Sequence, residues 1–120
     1  MPQIVSYFEI PVTDLDRAIA FYERVFGMTL ERTEIDGNAM ALFPAADGKT
    51  IAGALAHGES YIPSRDGTRV YFAVDDIDET LARVRELGGN ILYPRTEIGE
   101  WGAVAEFEDS EGNRIALSSQ

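Results

Sequence analysis

The sequence predicts an α+β fold built from two βαβββ modules, eight strands and two helices in one mixed-sheet architecture. Three observations lead there. The stretch Val12-Thr13-Asp14-Leu15-Asp16 returns, blurred, as Val74-Asp75-Asp76-Ile77-Asp78, an offset of 62 residues from Asp14 to Asp76 and about half the chain. Each copy stands between a run that alternates with period two and a run with helical spacing. Each is then followed by three short apolar runs divided by turn residues.

The elements follow in order. In "IVSYFEIPV", Ile4, Phe8, Ile10 and Val12 share one side with Ser6, the pattern of a half-buried strand. Asp14 offers a helix N-cap. Leu15, Ala18, Ile19, Tyr22, Val25 and Phe26 then recur on one helical face, and Gly27 supplies the stop. The runs "TLERTEI", "AMALFPA" and "TIAGALAH" read as strands, separated by Asp-Gly turns in "DGN" and "ADGK". After the connection "GESYIPSRDGT" the order repeats. "RVYFAV" is a strand, Asp76 the cap, and Ile77, Leu81, Val84 and Leu87 the helical stripe, ended by Gly88-Gly89. "NILYP", "AVAEFED" and "RIALSS" complete the second half. The expected organisation is one domain over residues 1–120: module 1 (1–58), linker 59–67 and module 2 (68–120). A half of this size is marginal alone, so two copies sharing a core make physical sense.

Composition narrows the function classes. The chain carries 10 basic and 21 acidic residues, a net charge of −11, with no basic patch visible, which speaks against nucleic acid and anionic membranes as partners. No apolar run reaches the length of a membrane span. "MPQIVSYFEIPV" lacks the pattern of a signal peptide. There is no cysteine, hence no disulfide, thiolate metal site or cysteine nucleophile, and a cytoplasmic location is expected. No phosphate-loop pattern is present, and the serines of "RIALSS" have no base nearby in sequence.

In "IPVTDLDRAIAFYERVFGM", "VYFAVDDIDETLARVRELGGNIL" and "FEDSEGNRIAL" the chain resembles the vicinal oxygen chelate superfamily, which contains glyoxalase I, extradiol dioxygenases and bleomycin-resistance proteins. It is similar in particular to small bacterial proteins related to lactoylglutathione lyase. The resemblance covers nearly the whole chain. It implies the glyoxalase/bleomycin resistance/dihydroxybiphenyl dioxygenase fold, in which the eight strands curl around a cleft with the helices outside. It also implies a homodimer, and in metal-dependent members it places ligands on the first and last strands of each module. Those positions fall here on Tyr7 and Arg69, and on Ala116 in the last strand; "IAGALAH" offers no carboxylate either. A guanidinium has no lone pair to give a cation, so neither a metal nor another cofactor is expected.

What remains is polar and unmetallated. Period two puts Tyr7 beside Glu9 and Arg69 beside Tyr71, and Glu106 joins the same face if Ala103, Ala105 and Phe107 point to the helix. Either Arg69 only pairs internally with Glu9 or Glu106, or these residues contact, with or without that pairing, a small ligand carrying a carboxylate, phosphate or carbonyl. Tyr61 and Trp101 sit in loops expected to border the cleft, and the lone histidine, His57, suits a surface role. Two functions stay open. One is a lyase or isomerase with Glu9 or Glu106 as base and Arg69 or a tyrosine stabilising an oxyanion. The other is a non-catalytic small-molecule binding or sequestration protein of the bleomycin-resistance type.

Overall fold

The computed structural model describes residues 4–120; residues 1–3, the start of the segment read above as lacking a leader, lie outside the described residues. Both helices form where the spacing predicts, α1 at Leu15–Phe26 and α2 at Ile77–Glu86. Asp14 and Asp76 cap them: their carboxylates accept the backbone N–H of Arg17 and of Glu79, each at 3.0 Å. Gly27 ends α1 at φ 64°, a left-handed conformation that a Cβ would disfavour.

The first half contributes strands β1 (Phe8–Val12), β2 (Glu31–Ile35), β3 (Asn38–Pro44) and β4 (Ile51–His57). The second contributes β5 (Tyr71–Ala73), β6 (Asn90–Glu97), β7 (Ala103–Glu108) and β8 (Arg114–Ser119). Their boundaries differ from expectation at three places. β1 begins at Phe8 rather than Ile4, because its parallel partner β4 is engaged only from the Phe8–Gly53 pair onward. β5 is reduced to the three residues that pair with Ala116–Ser118 of β8. β6 runs on through Pro94 to Glu97, with its register shifting around Tyr93; an edge strand tolerates the missing proline N–H there.

Strand order is β1-β4-β3-β2 in one sheet and β5-β8-β7-β6 in the other. In each, the first strand runs parallel to the last and the remaining pairs are antiparallel. The two βαβββ modules are therefore as expected, but the hydrogen-bonded ladder is divided into two sheets of four. β1 and β5 are the facing edges, and side chains rather than backbone bridge them: the Phe8 and Phe72 rings meet edge-on with centroids 5.8 Å apart. Among the described residues no helix is long and apolar enough to cross a membrane.

One core serves both halves. Ile10, Val12, Leu55, Leu81, Phe107 and Leu117 are buried in the same cluster. Aromatic rings fill its centre, with Phe26 stacked on Phe72 at 4.5 Å and Tyr22 edge-on to Phe43 at 5.5 Å. Gly53 lets β1 and β4 approach: a Cβ there would lie 2.6 Å from the Phe8 carbonyl oxygen. Polar contacts then lock one module to the other. The buried Tyr22 hydroxyl donates to Asp109 Oδ2 at 2.6 Å, and Asn113 Nδ2 donates to the Pro11 carbonyl at 2.8 Å.

The strongest lock is Glu111, in the turn between β7 and β8. Its buried carboxylate accepts the backbone N–H groups of Thr13 and Asp14, each at 2.9 Å, and the Arg17 Nε–H at 2.7 Å. Burial alone would raise this carboxyl, but the Arg17 guanidinium, the Asp14 N–H and the Ser110 and Thr13 hydroxyls outweigh it and hold it at about 2. Against a value of 4.5 in the unfolded chain, its contribution is complete above pH 4.5 and fades as the pH falls toward 2. Glu111→Gln is expected to cost about 2–3 kcal/mol in urea unfolding at pH 7, by unpairing Arg17 and weakening the cap. The difference from wild type narrows at pH 3; an equal difference at both pH values would show that the carboxylate charge is not what stabilises the joint.

Candidate functional site

The helices cover one face of each sheet and leave the other open. On the first sheet, register places Glu9, Ala54 and Leu42 side by side, with Pro11, Ala56 and Met40 in the next row. Met40, Ala54 and Ala56 form a small buried cluster of their own, and Tyr61 from the inter-module linker packs against it. Tyr61 donates to Glu9 Oε1 at 2.8 Å, and Tyr7 donates to Glu9 Oε2 at 2.6 Å. Both phenols are thereby held above their ordinary pKa, chiefly by the hydrogen bond to the Glu9 carboxylate. Each oxygen of Glu9 thus has one neutral donor, and no basic side chain forms an ion pair with it among the described residues.

The open face of the second sheet is built differently. Ala103, Ala105 and Phe107 do point into the core, and Glu106 faces the other way. Glu106 is only 8% exposed. It is gripped from both sides: Arg114 Nη1 lies 2.5 Å from Oε1 and Arg69 Nη1 lies 3.4 Å from Oε2. Arg69 therefore pairs with Glu106, not with Glu9. Two guanidiniums share one carboxylate, leaving a net positive charge on this group of three. Tyr71 stands 52% exposed next to Ala116 in the ladder.

Arg114 was not singled out from the sequence. Its signal was there: it opens "RIALSS" with the same parity as Ala116 and pairs with Glu108, one step along the face from Glu106. Trp101 is 73% exposed in a 3-10 turn, Gly99–Trp101, between β6 and β7, and shares in neither cluster's hydrogen bonds. His57 ends β4 in an exposed position.

The resemblance to metal-dependent family members implies ligands on the first and last strands of each module, and the ladders show what stands at those positions. Ala116 pairs with Tyr71 and Glu106; its counterpart in the first sheet, paired with Glu9 and Leu42, is Ala54. Tyr7, Ala54, Arg69 and Ala116 form a donor set that does not fit a divalent cation, since two have no donor atom and one is a fixed cation. Nor does any group of three His, Cys, Asp or Glu side chains suited to a metal occur among the described residues.

A cavity of about 230 Å³ lies at the seam between the sheets, under the linker, with Glu9, Pro11, Ile62, Ser64, Arg114 and Ile115 among its walls. A larger one, about 440 Å³, lies outside, between α1 and the β7–β8 turn. The smaller cavity is the one that holds Glu9 and Arg114, the charged groups of the two open faces.

The two arginines differ in what they do for the fold. Arg114, with a side chain 25% exposed, closes the contact on a buried carboxylate, whereas the Arg69 side chain is 48% exposed and more distant. Arg114→Ala is expected to cost about 2 kcal/mol of stability and Arg69→Ala under about 1 kcal/mol. Denaturant unfolding of both variants checks the order; equal losses would mean that Glu106 depends on both alike.

Comparison with known proteins agrees with this architecture. The model of the Glyoxalase/Bleomycin resistance protein/Dioxygenase superfamily matches residues 4–117. A lactoylglutathione lyase of Haemophilus influenzae is 33% identical over 112 residues, which cover 87% of this chain and 83% of that one. A glyoxylase-like domain-containing protein of Didymella fabae is 31% identical, covering 97% of this chain and 93% of its own. A protein of Mycobacterium tuberculosis named as a glyoxylase is 34% identical over 98 residues, but the chain spans only 36% of that relative's length. Among solved structures, a glyoxylase/bleomycin resistance protein/dioxygenase domain from Frankia superposes with a TM-score of 0.76 at 19% identity, covering 99% of this chain and 93% of that one. A fosfomycin resistance protein from Listeria monocytogenes gives 0.71 at 21%, covering 100% and 93%. These last two share the fold. The matching family model, the relatives and the paired βαβββ modules together establish that this chain belongs to the Glyoxalase/Bleomycin resistance protein/Dioxygenase superfamily.

Proposed function

We propose that the chain binds a small organic anion on the open face of its second sheet, without a metal, as a binding rather than a catalytic protein. The observation that carries this is the Glu106 triad. In a chain of net charge −11, two guanidiniums converge on one carboxylate and leave a positive charge beside the exposed phenol of Tyr71. A carboxylate, phosphonate or polarised carbonyl complements it, with Arg69, the more exposed of the pair, as the group free to turn outward.

The relatives named as lactoylglutathione lyases make an isomerase or lyase the rival reading. Proton abstraction from carbon needs a carboxylate oxygen open to the substrate. Both oxygens of Glu9 hold phenols, and both oxygens of Glu106 face guanidiniums, so neither carboxylate is presented as a base. That supports binding over turnover. A cysteine-free composition fits a cytoplasmic setting.

Thermal shift with pyruvate, succinate and phosphonoacetate tests the anion site, because a ligand that favours the folded state raises the melting temperature. Arg69→Ala is expected to weaken the responding anion by about 1.5–3 kcal/mol, the scale of a charge-assisted hydrogen bond. A loss of stability of that size with anion affinity unchanged would reduce Arg69 to an internal partner of Glu106.

A homodimer belongs to the same proposal. Tyr71, Tyr93, Ile62 and Trp101 are exposed on the open faces and loops, and the outer strands β2 and β6 are unpaired along one edge. Sedimentation at micromolar concentration is expected to give twice the chain mass; a species of 13.2 kDa would refute pairing.

A further inference from the structure

The seam cavity has two charged ends that do not neutralise each other. Glu9 lines it from β1, with neutral phenols as its hydrogen-bond partners. Arg114 lines it from β8, as a member of the group in which two cations share Glu106. No ion pair joins Glu9 to Arg114, so the carboxylate and guanidinium stand more than 4.0 Å apart in the same cavity. One end is thus short of a positive charge and the other short of a negative one.

We infer that this cavity takes a small zwitterion, a molecule with an ammonium group at one end and a carboxylate at the other. The ammonium donates to Glu9 in the place that no basic side chain fills, and the carboxylate lies on Arg114, the guanidinium that lines the cavity. Partial burial sharpens the demand. Where the linker covers part of the cavity, an unmatched charge loses part of its solvation, and a ligand that supplies the opposite charge to each side offsets both deficits. The phenols of Tyr7 and Tyr61 hold the Glu9 carboxylate in place without cancelling its charge. Ile10, Ile62 and Ile115 supply apolar wall in the same cavity, suited to a short methylene chain. Asp66, also on the wall, adds negative potential and makes a purely anionic ligand less welcome there. The volume, about 230 Å³, is below the ~300–1,000 Å³ that takes drug-sized molecules, and suits an amino-acid-sized ligand.

The inference rests on the anion reading of Arg69 and Arg114 and adds the second charge. Amide NMR titration of the folded chain with glycine through 6-aminohexanoate, each matched to the alkanoate of equal length, separates the two. At a preferred chain length the amino acid is expected to bind about tenfold tighter than its alkanoate, the factor of one charge-assisted hydrogen bond. Shifts fall on Glu9, Tyr61 and Arg114, and Glu9→Gln brings the ratio to near one. Alkanoates that match their amino counterparts at every length overturn the zwitterion while leaving the anion site standing. A preference that survives in Glu9→Gln overturns Glu9 as the ammonium partner. Absence of response to both series overturns the inference and the anion site together. The wild-type ratio alone decides if Glu9→Gln does not fold.

Discussion

The joint between the two modules depends on a carboxylate that module 2 lends to module 1. Glu111 closes the amide groups ahead of α1 and neutralises Arg17, while its neighbour Asp109 takes the buried Tyr22 hydroxyl. Burial raises the Asp109 carboxyl, and four hydrogen bonds, from Tyr22, Glu111 and twice from Asn113, keep it satisfied. The turn between β7 and β8 is therefore anchored on the far module, and with it the spacing of β1 from β8. That spacing is the width of the seam cavity. Polar groups buried this way specify a single arrangement, because sliding the modules would strand them without partners.

The repeat is not symmetric in this respect. The matching turn of module 1, around Asp47, satisfies itself: Asp47 accepts the backbone N–H groups of Lys49 and Thr50 and is held below its usual range by them. It caps nothing across the seam, and α2 relies on its own Asp76. One module docks actively and the other is docked upon. The open faces diverge in the same fashion. At matching positions, Tyr7 and Glu9 of the first half correspond to Arg69 and Tyr71 of the second, so one face becomes acidic with phenolic donors and the other basic.

Arg69 and the donor-poor set Tyr7, Ala54 and Ala116 are consistent with one another. An arginine at a ligand position repels a divalent cation and needs an anion, and Glu106, reached across β8, supplies only part of that need once Arg114 also points there. The remainder is open to a ligand, and the surrounding buried alanines, Ala54 and Ala116, leave room above the sheets where longer side chains would fill it.

Much of this was legible in the chain. Period-two and helical spacing, Asp caps and glycine stops are local signals, and they marked all eight strands, both helix starts and the parity that put Glu106 opposite Phe107, though not the short 3-10 turn at Gly99–Trp101. Tyr7 and Arg69 at the ligand positions already argued against a metal. Three things were decided only by tertiary structure. The division into two sheets depends on how β1 and β5 meet, through phenylalanine rings rather than backbone. The choice of Glu106 over Glu9 as the partner of Arg69 depends on β8 lying between β5 and β7 in one sheet, so that the two side chains meet across it. The role of Glu111 depends on a contact between residues nearly a hundred positions apart, for which no periodicity exists: local sequence fixes which way a side chain points, but only the packing of one module on the other determines what it meets.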